Sequence, residues 1–350
     1  MNAQINSLDV KEAVVNPPAY GQQLRQVARA GIRFGRFLLA GSPAPVSITY
    51  HVTYRCNLSC MYCPLPQRTP ELTPAESLEL VEALGRRGVL RLGLSGGEPL
   101  LRDDLGELVR AARRHGTTVS VGTNAILLPE RLELVREADL LLVSLDGPRE
   151  VHDGHRGIRA FDRTIAGIEA AHAAGIPMIF LAVVTRHSAD SIEELLRLAD
   201  NYGTQVYFQP VLIGQGATEE DALRDDELKA LFGRLEALKL GGRPVGNSLD
   251  HLRGAQRNPL FPIAGPCPAR WLVAAVQPDG SLAPCCEWHR FELRSQGTVP
   301  LDTLSERFTA LRRPPCESCA TVGNVEARRL AKLSPSALLQ ALQVVLPMPR

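Results

Sequence analysis

Between residues 47 and 211 the chain alternates two hydrophobic periods. Short β-branched and aliphatic runs predict six strands: SITYHVTY (47–54), VLRLGLS (89–95), TVSVGT (118–123), LLLVSLD (140–146), MIFLAVVT (178–185) and QVYFQPV (205–211). Helical periodicity fills the intervals at about 73–87, 103–114, 129–137, 161–174 and 190–202. This alternation predicts βα units on a parallel sheet, a partial or complete barrel with its functional groups in the loops after the strands.

After the sixth strand comes a charged helical stretch at 224–239, then the turn-rich GGRPVGNS. We therefore place a linker at 241–262. Beyond it, WLVAAVQPDGSLAP predicts a hairpin turning at Pro278-Asp279-Gly280, and 301–312 predicts a short helix. Residues 20–39 predict a basic amphipathic helix, with Arg25, Arg29, Arg33 and Arg36 opposite Leu24, Val27, Phe34 and Leu38. The favoured reading packs this helix on the barrel with its arginines in solvent; the other is a peripheral contact with a membrane or a lipid substrate. The expected organisation is a helical extension (1–45), a barrel (46–240), the linker, a small α+β extension (263–325) and a helical tail (326–350).

Composition narrows the classes. With 45% hydrophobic and 22% charged residues, the 350-residue chain can bury a core without disulfides. A formal charge of +1 argues against a nucleic-acid partner. No apolar run reaches the length of a membrane span, and Met1 to Val10 lack a secretory signal, so the expected location is the cytoplasm. Disulfides are rare there, yet the chain has eight cysteines. They fall in two groups, at 56, 60 and 63 and at 267, 285, 286, 316 and 319. That grouping reads as two metal sites.

The first group, Cys56-Asn-Leu-Ser-Cys60-Met-Tyr-Cys63, directly follows the first strand. Thiolates are the usual ligands of iron–sulfur clusters, and three of them leave one iron of a cubane open. A structural zinc site is the rival reading, but it needs four ligands, and neither His51 nor the residues just after Cys63 offer a fourth. In the second group Cys267, Cys285, Cys316 and Cys319 make a full tetrathiolate set for zinc or for a second cluster. Adjacent residues on a strand face opposite ways, so Cys286 is expected to be a spare thiol.

The C-x3-C-x2-C triplet, with Tyr62 before its last Cys and Gly96-Gly97-Glu98-Pro99 after the second strand, resembles the radical S-adenosylmethionine (SAM) superfamily. Weaker likenesses follow in Thr123-Asn124, in Ser144-Leu-Asp146-Gly147 and from His152-Asp153 to Arg156-Gly157. The later run Pro278-Asp279-Gly280 to Cys285-Cys286, Gly297, Leu304 to Arg312 and Cys316-Glu-Ser-Cys319 is similar to the SPASM/Twitch extension of that family, nearer its shorter Twitch form.

The resemblance implies an α/β fold, a partial (β/α)6 radical SAM barrel with a small Twitch/SPASM-like α+β extension. It implies a SAM-binding [4Fe–4S] cluster on Cys56, Cys60 and Cys63, and an auxiliary [4Fe–4S] cluster on Cys267, Cys285, Cys316 and Cys319. It makes Gly96, Gly97, Glu98, Pro99, Asn124, Ser144 and Arg156 the candidate contacts of SAM, with the GGEP backbone at its amino group. Reductive cleavage of SAM to a 5′-deoxyadenosyl radical and hydrogen abstraction from a substrate C–H bond would follow, fed by a flavodoxin- or ferredoxin-type reductant. The reading placed first is a net oxidation of a small metabolite by a radical SAM oxidoreductase, with the auxiliary cluster accepting an electron. Maturation of a ribosomal peptide, or modification of a lipid or tetrapyrrole, are the alternatives, and a non-catalytic zinc protein is the rival of another class. No catalytic acid or base is singled out.

Overall fold

A computed structural model describes residues 45–63, 65, 70–211, 213, 217–259, 267, 269, 272–286, 301–311, 319, 321–332 and 334. The basic helix expected at 20–39, Cys316 and most of the 326–350 tail lie outside the described residues.

The six expected strands form as β1 (Ser47–Thr53), β2 (Arg91–Gly96), β3 (Thr118–Thr123), β4 (Leu140–Ser144), β5 (Met178–Val184) and β6 (Val206–Pro210). Each pairs in parallel with the next. Between them lie α1 (Pro74–Arg86), α2 (Leu105–Arg114), α3 (Leu128–Arg131), α4 (Arg149–Arg156), α5 (Ala160–Ala173) and α6 (Ile192–Asn201). The helix expected at 129–137 breaks after one turn into a 3₁₀ turn, Leu132–Leu134. Helix α1 starts where its sequence says it should: Thr73 and Glu76 form a reciprocal capping box, and Pro74 occupies the first turn.

Alternation along each strand builds the core. Ile48, Tyr50, Val52, Leu92, Leu94, Val119, Val121, Leu141, Val143, Phe180, Ala182, Val184, Val206 and Phe208 are buried in one hydrophobic cluster with the helices. Each large aliphatic or aromatic side chain so buried contributes about 1.5–3 kcal/mol. The strand register puts the intervening residues together on the other, concave face. On β1–β3 these are Ser47, Thr49, His51, Arg91, Gly93, Ser95, Ser120 and Gly122. On β4–β6 they are Leu140, Leu142, Ser144, Ile179, Leu181, Val183, Tyr207 and Gln209. One half of the concave face is small and polar, and the other is mostly apolar.

Past β6, α7 (Asp225–Leu240) and α8 (Leu249–Arg257) pack on each other. Helix α8 occupies the stretch expected to be a linker. Ser248 caps it through the His251 amide at 3.2 Å, and Leu252 and Ala255 are buried. The expected hairpin is β7 (Val273–Val276) and β8 (Leu282–Ala283), turning at Gly280 with φ +79°. It joins the main sheet, because β7 pairs in parallel with β1, and the strand order is β6-β5-β4-β3-β2-β1-β7-β8. The Tyr54 hydroxyl donates to Gln277 Oε1, and the Leu72 amide donates to the Pro278 carbonyl at 2.7 Å. The hairpin turn thus buttresses the strand end that leads to Cys56. Last come α9 (Leu304–Ala310) and α10 (Val322–Ala331). Glu326 fastens α10 to α8, its Oε1 lying 2.9 Å from the Ser248 amide and 3.0 Å from His251 Nδ1. No helix among the described residues is long and apolar enough to cross a membrane.

Candidate cluster and cofactor site

The C-terminal ends of β1 to β4 converge on the cysteine loop. Gly96 and Gly97 make that convergence possible. A Cβ on Gly96, whose φ is +138°, would fall 2.0 Å from the Thr53 carbonyl oxygen, and one on Gly97 would fall 2.2 Å from that of Arg55. Only glycine allows this approach. The Gly97 and Glu98 amides donate to Thr53 and Arg55 at 2.8 and 2.9 Å, tying the second loop to the first just before Cys56.

Glu98 is fully buried. Its carboxylate accepts from the Leu100 amide (3.1 Å), the Thr123 hydroxyl (2.9 Å) and the Asn124 amide (2.8 Å). Burial pushes its pKa up to about 7 against these donors. The Glu98 side chain is therefore committed to protein groups, and it fixes the end of β3. Pro99 opens the 3₁₀ turn that follows.

From β3, Asn124 donates Nδ2–H to Asn57 Oδ1 at 2.7 Å, and the same nitrogen lies 4.0 Å from Cys56 Sγ. From the β4 side, Arg156 places Nη1 4.0 Å from Cys60 Sγ. Its Nε and Nη2 grip the Asp146 carboxylate at 2.8 and 3.0 Å, and its guanidinium lies 5.6 Å from the centre of the Tyr62 ring. Tyr62 in turn donates its hydroxyl to Asp146 at 2.6 Å, the Val183 amide donates to the same carboxylate at 3.1 Å, and His155 Nδ1 stands 3.4 Å from it. Burial opposes the charge on Asp146, but Arg156, His155 and Tyr62 outweigh it and hold the carboxyl far below the usual range. The Met61 amide, donating to His155 O at 2.9 Å, completes the connection of the cysteine loop to α4. Ser144 lies half-buried on the concave face at the end of β4.

The structure thus gathers Asn124, Arg156 and the Gly96–Gly97 backbone around the cysteine loop, and the Glu98 side chain supports them. Sequence reasoning had passed over Tyr62 as a hydroxyl donor, and Asn57 and His155 altogether. The dense run of ionisable residues from 146 to 156 was the available signal.

The loop fits a cluster by its donor chemistry. Burial raises the Cys56 thiol pKa, and it raises that of Cys60 to about 11; nearby thiols of the loop add to both shifts. Thiolates are costly here without a cation to offset them, while Asn124 and Arg156 direct N–H groups at two of the sulfurs, the outer-shell bonding that tunes cluster thiolates. Among the described residues no three His, Cys, Asp or Glu side chains are already gathered at metal-binding distance. In the C-terminal region Cys267 and Cys285 share one buried cluster with Ala269, and Cys319 is buried beside Val325.

The family description that matches the chain is the radical SAM superfamily, over residues 50–199. Mycofactocin maturase MftC of Mycolicibacterium smegmatis is 30% identical over 83% of this chain and 78% of its own length. Pre-heme d1 synthase of Dinoroseobacter shibae is 29% identical over 80% of each. Streptococcus suis SuiB bound to precursor peptide SuiA shares the fold, with TM-score 0.63 at 18% identity over 95% of this chain and 82% of that one.

Proposed function

The chain belongs to the radical SAM superfamily and uses its cofactors, a [4Fe–4S] cluster and SAM; from this we propose that it matures a biosynthetic precursor by a net two-electron oxidation. The observation that carries the proposal is the cysteine loop clamped from three sides, by the glycine pair, by Asn124 and by the Asp146–Arg156–Tyr62 knot. Cys56, Cys60 and Cys63 would hold the cluster, leaving one iron for SAM. When bound, cluster and SAM supply a radical that takes hydrogen from an unactivated C–H bond, with the first electron from a flavodoxin- or ferredoxin-type carrier. The protein's own part is to hold the loop still, to direct N–H groups at its sulfurs and to present the substrate on the concave face.

Cys267, Cys285 and Cys319, with Cys316, form the proposed auxiliary ligand set. A site closed by four protein thiolates suits electron transfer better than substrate coordination, which supports oxidation. On the substrate, the names of the relatives, a maturase and a pre-heme d1 synthase, support a peptide or a tetrapyrrole over the free small metabolite placed first on sequence grounds.

The test is anaerobic reconstitution. We expect about eight irons, in two [4Fe–4S] clusters, and 5′-deoxyadenosine plus methionine on reduction with dithionite. Replacing Cys56, Cys60 and Cys63 together by Ala should remove about half that iron and all SAM cleavage. With substrate, each turnover should leave the product two hydrogens poorer. Stoichiometric zinc without 5′-deoxyadenosine would end the reading. Cys285→Ala should lose the auxiliary cluster and Cys286→Ala keep it; the reverse would exchange their assignments.

A further inference from the structure

The concave face carries a charge that the cluster chemistry does not use. Arg91 begins β2, and its side chain does not leave for solvent. Nη1 and Nη2 donate to Ser47 Oγ at 3.2 Å and to Ser120 Oγ at 3.0 Å, the hydroxyls of the two neighbouring strands. A Cβ built on Gly93 would lie 3.8 Å from both of these nitrogens, so the guanidinium rests above Gly93, turned toward the cluster end of the sheet. Gly93 provides that space. Arg91 keeps partial exposure, so the concave side reaches it.

No carboxylate among the described residues pairs with Arg91. None of the concave residues of β1–β7 is acidic. Among the described groups, only the thiol of Cys286 lies where its negative form would favour the Arg91 charge. A guanidinium withdrawn from water is costly without an anion, and its planar fork matches a carboxylate. Two hydroxyls occupy part of the fork and set its orientation. Across the sheet stands the apolar half built by Leu142, Leu181 and Tyr207.

We propose that Arg91 anchors a carboxylate of the substrate, whose apolar body lies along β4–β6 toward the cysteine loop. The inference rests on the radical SAM reading and names the substrate class it left open: an amphipathic carboxylic acid. From Gly93 to Gly96 the strand rises about 10 Å, so the reacting C–H lies roughly that far from the carboxylate. A peptide C-terminus and a carboxylic acid side arm of a small molecule present the same group.

The experiment measures thermal stabilisation of the reconstituted holoenzyme by paired probes. Sodium hexanoate is set against hexanamide, and N-acetyl-leucine against N-acetyl-leucinamide. The acids should raise the melting temperature and the amides should not. A shift confined to hexanoate identifies a small-molecule acid as the source, and one confined to N-acetyl-leucine a peptide end. Arg91→Gln should weaken acid binding at least about tenfold while keeping its iron and its substrate-free SAM cleavage; Cys286→Ala should keep the acid shift. Equal shifts from acids and amides, no shift from either acid, or an undiminished shift in Arg91→Gln would overturn the proposal. So would loss of auxiliary iron from Arg91→Gln, which would make the guanidinium a partner of that cluster. The comparison of acid with amide needs only the wild-type protein, should the variant fail to fold. Failure of the radical SAM reading is scored separately, by absent 5′-deoxyadenosine.

Discussion

The two halves of the sheet share one helix-facing core and differ on the concave side. Strands β1–β3 show it hydroxyls, glycines, His51 and Arg91; β4–β6 show it mostly leucine, isoleucine and valine. The loops above the strands divide in a related way. The first half contributes the cysteines, the glycine pair, which approaches their loop through backbone, and Asn124, which reaches it through its side-chain amide. The second contributes Asp146, His155 and Arg156, which hold the cysteine loop through buried charge. On the side packed against helices every strand is apolar, as burial there demands. The other side is released to be polar where a group must be anchored and apolar where water must be kept out.

The largest break in this comparison should come from the second half. Asp146→Asn leaves Arg156 buried without its anion, at a cost of about 3–5 kcal/mol. Equilibrium urea denaturation should show it, and should show more than half recovered in the double variant Asp146→Asn with Arg156→Met, which removes both charges. Additive losses in the double variant would mean that the pair is not the unit we describe.

An intermediate effect should come from pH, where the halves oppose each other. Burial raises Glu98 to about 7, above its ordinary 4.5, so the folded chain keeps a proton that the unfolded chain has lost. That stabilisation is full below 4.5 and is lost as pH rises to about 7. Burial, aided by Arg156, lowers His152 from 6.5 to about 4, so its contribution is lost as pH falls between those values. In the wild type the two nearly cancel. Glu98→Gln should uncover the histidine, with stability falling by about 2–3 kcal/mol between pH 6.5 and 4. A flat profile for the variant would remove His152 from the account.

The smallest effect sharpens the reading of the first half. Alanine at Gly93 would meet Ser120 Oγ at 3.6 Å and the Arg91 guanidinium at 3.8 Å, ordinary contacts. Gly93→Ala should therefore change stability by less than about 0.5 kcal/mol, yet weaken hexanoate binding by placing a methyl group where the bound carboxylate would approach the guanidinium. A large stability loss would show that the space over Gly93 is already filled.

Much of this was legible in the sequence. The short β-branched and aliphatic runs placed all six barrel strands to within a few residues, and the spacing of Cys56, Cys60 and Cys63 pointed to the candidate site. Helix α8 was not legible, because GGRPVGNS just before it carries strong turn chemistry, while its own Leu252 and Ala255 face is short. Helix α4 was missed because histidines and charges on it that would ordinarily face water are buried against Asp146. The part of Glu98 was hidden for a different reason: a motif shows that a carboxylate is present, not which donors surround it.

Sequence alone determined what depends on near neighbours: strand and helix periods, the capping box at Thr73, the glycines that permit close approach, and three thiols within eight residues. Tertiary structure decided what depends on partners far apart in the chain. It brought Tyr62 to Asp146, Gln277 to Tyr54 and Glu326 to His251, and it placed Arg91 between hydroxyls of two other strands. The physical reason is that the worth of a buried charge or hydrogen bond is set by desolvation and by the partner that offsets it. Both exist only once the strands have taken their register.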